Sequence, residues 1–168
     1  MNYFTENELA AGSNFIMLVG APASGKTTFA NDLVDEYSAT DHKFTIVSPD
    51  YIRRDLGFLE YRREDNSKVF AIVYNRLTDL LDTGENVIYD ATNCNRKDRN
   101  KIMHVIEGFY NKSVCLVSKT DFLTCCNRND QRPEEYKKVS QDILERMYIS
   151  LMNNPPHIFE GYDVIGRF

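Results

Sequence analysis

The stretch Phe15-Ile16-Met17-Leu18-Val19-Gly20-Ala21-Pro22-Ala23-Ser24-Gly25-Lys26-Thr27 decides how the rest of the chain is read. Its first five residues are continuously apolar, the mark of a strand buried on both faces, and Gly20 ends the run. Gly20 to Thr27 fits the spacing GxxxxGK[ST], and a helical pattern with Phe29, Leu33, Val34 and Tyr37 on one face follows at once. A strand, a glycine-bearing loop and a helix in that order make an anion cradle. The glycines let consecutive backbone N–H groups face one anion, and the helix N-terminus adds partial positive charge. Lys26 is expected to reach the β- and γ-phosphates of a nucleoside triphosphate, and the Thr27 hydroxyl to sit on Mg²⁺. The expected nucleotide contacts are Gly20, Ala21, Pro22, Ala23, Ser24, Gly25, Lys26, Thr27 and Thr28. A glycine-rich turn that binds nothing is the plainer alternative.

Outward from this loop the pattern alternates. Phe44 to Val47 reads as a second strand, ending at Ser48-Pro49-Asp50, where a helix starts. Val69, Ile72, Val73, Leu77, Leu80 and Leu81 keep helical spacing, and Gly84 is the stop. Asn86 to Tyr89 is a third strand, closed by Asp90, and Ile102, Val105, Ile106 and Phe109 mark another amphipathic helix. Val114 to Val117 is a fourth strand; helical patterns near 121–131 and 140–152 follow, and Tyr162 to Ile165 is a candidate last strand. Strands alternating with helices predict an α/β fold with a parallel sheet covered on both faces, whose ligands bind at the carboxyl ends of the strands. Gly20, Asp50 and Asp90 all fall there. No repeat or linker is evident, so residues 15–168 are expected to form one domain after an N-terminal extension at 1–14.

The chain has 168 residues, 42% hydrophobic and 27% charged, with net charge −5. That charge argues against broad electrostatic binding to nucleic acid and leaves room for a local basic groove. No apolar run reaches the ~20 residues of a membrane span, and no secretion signal is seen at the start. Cys94, Cys115, Cys125 and Cys126 show no CxxC spacing, which reads as reduced thiols in a cytoplasmic protein.

Asp50 can be a helix-start residue favoured by the dipole, or the carboxylate that takes a proton from an acceptor hydroxyl, with Arg53 one turn on to hold an anionic acceptor. Asp90, followed by Ala91-Thr92-Asn93, can hold magnesium through water, orient the acceptor, or cap a loop, a task for which Asn95 serves equally well. Arg128 and Arg132 lie four apart, on one face of a helix that Pro133 breaks, in a polar segment near 127–138 suited to a moving lid. They suit either developing phosphoryl charge or a solvated, salt-bridged helix. Arg96, Lys97, Arg99 and Lys101 form the densest basic run and Arg62-Arg63 a smaller one, each a groove for a phosphate backbone or a solvated face. Tyr51 is a candidate for stacking on a base, and His42, His104 and His157 have no ligand spacing.

The order GxxxxGKT, SPDxIR, YDATN, NRNxxR and then Val139-Ser140-Gln141-Asp142-Ile143-Leu144-Glu145-Arg146-Met147-Tyr148 resembles the kinase domain of bacteriophage-type polynucleotide 5′-kinases, from about Phe15 to Leu151. The resemblance implies a P-loop NTPase fold of the nucleoside-monophosphate-kinase-like, three-layer type, with four to five parallel strands and a helical lid. It implies ATP as donor, Mg²⁺ as cofactor, and a nucleic-acid 5′ end, DNA or RNA, as the partner that accepts phosphate, as in nucleic-acid repair. By matching positions it makes Lys26, Asp50 and Arg132 catalytic, with Asp50 as general base. Arg53 matches the arginine on the acceptor phosphate, Arg128 a lid position near the nucleotide, and Thr27 and Asp90 the metal side. The acceptor set is then Asp50, Arg53, Asp90, Thr92 and Asn93. The phage enzyme's phosphatase signature DxDxT does not occur, so phosphatase activity is not expected. Two other readings stand beside this one: a small-molecule kinase acting on a nucleoside or sugar nucleotide, and a nucleotide-binding regulatory module without catalysis. Oligomeric state is not readable from the sequence.

Overall fold

Alternation along Phe15–Val19 sorts side chains onto two faces, and both are covered. The computed structural model describes residues 9–58, 62–133 and 138–168. In it Phe15, Met17 and Val19 join one core with Val73, Leu77, Ile102 and Leu151. Ile16 and Leu18 join another with Phe29, Leu33 and Tyr37. All five strand residues are fully buried, as a central strand in an α/β sandwich must be. The three-layer fold expected from the sequence is the one observed.

The strands are β1 (Asn14–Val19), β2 (Phe44–Val47), β3 (Asn86–Asp90), β4 (Lys112–Val117) and β5 (Val164–Arg167). They form one parallel sheet in the order β2-β3-β1-β4-β5. The helices are α1 (Lys26–Tyr37), α2 (Pro49–Asp55), α3 (Asn66–Asp82), α4 (Arg96–Val105), α5 (Phe122–Asp130) and α6 (Gln141–Asn153). Because β1 lies between β3 and β4, Leu18 pairs with Asp90 and Val19 with Val117. The loops after β1, β3 and β4 therefore leave the sheet side by side. No helix among the described residues is long and apolar enough to cross a membrane. All four cysteines are free, and Cys94, Cys115 and Cys125 are buried.

Several elements differ from their sequence expectation, and β4 starts at Lys112, two residues before Val114. α4 ends at Val105, and Phe109 lies beyond it, past Gly108 at φ 86°. The helix starts at Arg96, where the Asn95 side chain accepts the Lys97 N–H, so Asn95 rather than Asp90 caps it. β5 begins at Val164 rather than Tyr162. Tyr162 enters the core first, its hydroxyl against Met17 Sδ, and Asp163 pins the approach by accepting from the Ser113 N–H and hydroxyl. α5 stops at Asp130, so Arg132 lies outside the helix that carries Arg128. The pyrrolidine of Pro133 disfavours helical geometry in the residue before it. Most of the expected extension at 1–14 and residues 134–137 of the expected lid lie outside the described residues, as does the side chain of Arg63.

Candidate active site

The loop Gly20–Gly25 is shaped by backbone demands. Ala23 and Gly25 both take positive φ, 61° and 94°, which turns successive N–H groups inward. At Gly20 a Cβ would stand 2.5 Å from Ser24 Oγ and 3.0 Å from Ser118 Cβ, so any side chain there would push Ser24 and Ser118 aside. Neighbouring strands hold the loop. Gly20 N donates to Thr92 O at 2.9 Å and Ser118 N to Val19 O at 2.8 Å. The hydroxyls of Ser118 and Thr120 both donate to Ser24 O, at 3.1 and 2.9 Å. α1 then begins with no side-chain cap and no acid in its first turn, leaving its N–H groups directed at the cleft.

Lys26 folds back over this loop. Its ammonium donates to Gly20 O at 3.0 Å, Ala21 O at 2.8 Å and Ser24 Oγ at 3.3 Å. Burial holds its pKa below the usual lysine value, against the attraction of Asp90. Thr27 Oγ1 donates to Asp90 Oδ2 at 2.6 Å. Burial pushes the Asp90 carboxyl up, the Thr27 hydrogen bond and the Lys26 charge oppose that, and the Asp50 charge adds to it. A hydroxyl and a buried carboxylate side by side, next to a ring of N–H donors, form an oxygen donor set that fits a hard divalent ion beside a triphosphate.

A cleft of about 690 Å³ opens over this loop. Lys26, Thr27, Thr28, Asp50, Arg53, Asp90, Thr92, Arg128 and Arg132 all line it, although they come from four separate stretches of chain. Asp50 stands in the first turn of α2 behind Pro49, and its side chain is 89% exposed. Arg53 is only 15% exposed: its Nη1 donates to Asp50 Oδ1 at 2.9 Å and its Nη2 to Asn66 Oδ1 at 2.9 Å. A guanidinium held at both ends is a pre-oriented anion receptor. Arg128 hangs over the loop, its Nη1 3.6 Å from where a Cβ on Gly25 would be.

Asn93 does not join them. It is buried with φ 49°, and its amide donates to Leu18 O at 2.7 Å, so it shapes the turn after β3 from behind. The basic run 96–101 splits. Arg99 is fully buried, paired with Glu160 at 2.7 and 2.8 Å and donating to Asn93 O and Asn154 O. It is neither groove nor solvated face, and it ties the Asp90 turn to the end of α6. Losing one partner of such a pair costs about 3–5 kcal/mol. Lys101 lies over the Tyr74 ring instead, and the Arg54 guanidinium lies over Tyr51. His157 caps the short helix Ile158–Glu160. Phe70, Val139 and Met147 line the apolar part of the cleft and escape a reading based on charge. Val139 and Met147 nevertheless sit in the last sequence motif.

The family model described as AAA domain matches residues 15–151, and the chain belongs to that family. It is similar in structure to a chain of the Pnkp1/Rnl/Hen1 RNA repair complex, at 24% identity and TM-score 0.74, over 89% of this chain and 47% of that one. This chain thus spans about half the length of that relative. It is also similar to Kti12 from Chaetomium thermophilum, solved with ADP-AlF3, at 17% identity and TM-score 0.67 over 90% and 87%. A gluconokinase from Sinorhizobium meliloti 1021 matches at 15% identity and TM-score 0.58 over 93% and 81%. At these identities the likeness is one of fold, a kinase-like P-loop fold.

Proposed function

We propose that the chain is a kinase that transfers the γ-phosphate of ATP to the 5′-hydroxyl of DNA or RNA. The observation that carries this reading is the Asp50–Arg53 pair on the cleft wall across from the phosphate loop, with Arg53 anchored by Asn66. The motif order in the sequence and the likeness to a chain of an RNA repair complex support it.

In this mechanism the loop N–H groups and Lys26 hold the β- and γ-phosphates, and Arg53 holds the phosphate next to the 5′-nucleoside. Asp50 takes the hydroxyl proton as the acceptor oxygen bonds to the γ-phosphorus. The bond from that phosphorus to the β–γ bridging oxygen breaks, and ADP leaves with the electron pair. Arg132 and Arg128 meet the charge that spreads over the transferring group. Thr27 and Asp90 would hold Mg²⁺, which when bound neutralises phosphate charge. Thr92 lines the cleft beside Asp90 and completes the acceptor side. Residues near 127–138 serve as the lid of a domain built on 15–168.

A small-molecule kinase is the second reading. It is favoured by the cleft volume, which falls in the range of small-ligand sites, and by the net charge of −5. One assay separates the readings. γ-Labelled ATP and magnesium are supplied with 5′-hydroxyl DNA or RNA oligonucleotides, with nucleosides, or with sugar nucleotides. Label on oligonucleotides is expected. Label on the small acceptors alone would replace the first reading by the second, and label on none would point to a binding module.

A further inference from the structure

α5 and α6 are joined through residues 131–140, and both flanks of that connection face the cleft. Arg128 and Arg132 belong to the first flank, Val139 and Met147 to the second. One side chain between them joins the two through both its amide nitrogen and its amide oxygen. Asn129 is 4% exposed. Its Nδ2 donates to Val139 O at 2.8 Å, and its Oδ1 accepts from Val139 N at 3.0 Å. A single amide thereby copies the two-bond exchange of a paired strand residue, across a sequence separation of ten. The chemistry is narrow: aspartate lacks the donor and would face the Val139 carbonyl with charge, alanine loses both bonds, and glutamine is one methylene too long. The nearby bond from Lys138 Nζ to Asp130 O, at 2.6 Å, is exposed to solvent.

Because successive helix residues project about 100° apart, an Asn129 turned inward leaves Arg128 turned toward the loop at Gly25. We infer that Asn129 is a latch, a positioning residue that registers the arginine-bearing end of α5 against the Val139–Met147 wall so that Arg128 and Arg132 face the phosphate loop. What the arginines do there rests on the proposed kinase function; the latch itself rests on the two bonds.

The test compares wild type with N129A and N129D. Exchange of the Val139 amide hydrogen, ATP affinity measured with a fluorescent analogue, and turnover at saturating ATP are followed together. N129A is expected to speed Val139 exchange by about tenfold or more. Its turnover should fall about 10- to 100-fold, with ATP affinity changed by less than about threefold, because misplacement costs rate rather than ground-state binding. N129D keeps an acceptor for the Val139 N–H but sets a buried carboxylate against the Val139 carbonyl, so it should lose as much as N129A or more, and it carries the comparison alone if N129A does not fold. Faster exchange with turnover within about twofold of wild type would reduce the bonds to a structural role and overturn the inference. Unchanged Val139 exchange, or a loss of ATP affinity equal to the loss of turnover, would overturn it as well. Turnover is read both as transfer to acceptor and as γ-phosphate release to water. A wrong acceptor class then shows as wild-type transfer failing, while hydrolysis still reports on Asn129.

Discussion

The two walls of the cleft are built differently. On the phosphate-loop side one contiguous stretch of backbone is held by bonds from the loops after β3 and β4: Gly20 N to Thr92 O, Ser118 N to Val19 O, and two hydroxyls on Ser24 O. On the Asp50 side they are side chains reaching one another, Arg53 to Asp50 and Asn66, with Asp50 itself 89% exposed. A backbone-built site binds the part common to all substrates of a fold class. A side-chain-built site can change its specificity without disturbing the sheet, which is why the fold alone leaves the acceptor open.

Substitutions sharpen this contrast. On the loop side K26A should lower transfer most, by about 10²–10³-fold, and by the same factor for every acceptor, since a preorganised donor to the phosphates is lost. Rates measured across several acceptors that fell unequally would break the division. On the opposite wall D50N should lower turnover by roughly 10²-fold while ATP binding, followed by titration, stays near wild type. Near-normal turnover would remove Asp50 from its role. R53A should be smaller and selective, raising the acceptor KM about tenfold more for an acceptor with a phosphate beside the reacting nucleoside than for one without. Equal losses would contradict the assignment.

The smallest effect concerns stability. Burial raises the Asp90 carboxyl above its ordinary value, so the folded state favours its protonated form. The ionised group therefore costs stability at neutral pH, and that cost disappears as pH falls through the raised folded value toward the unfolded one. D90N should melt higher than wild type at pH 7, in thermal scans without nucleotide, and the gap should close on acidification. A gap that widened toward low pH would reverse the sign of the argument.

How much was readable in advance follows the same division. The apolar run 15–19, the spacing from Gly20 to Thr27 and the strand before Asp90 are local patterns, and each appears where the pattern puts it. Arg99 misled because charge in a basic run says nothing about a partner 61 residues away in sequence, Glu160. Asn93 misled because it lies beside Asp90 in sequence while its amide turns back to Leu18. Asn129 stands between two arginines, and nothing in the motif announces that its amide meets Val139.

By itself, then, the sequence determined the layered α/β fold, the loop at Gly20–Thr27 and the set of charged residues available at the strand ends. These depend on period-2 and period-3.6 burial and on the φ freedom of glycine, which are properties of short stretches. Only the tertiary structure decided which charges share the cleft, which one is sunk in an ion pair behind it, and how α5 is held against α6. Those outcomes depend on distances between residues far apart in the chain, and on the cost of leaving a buried polar group without a partner.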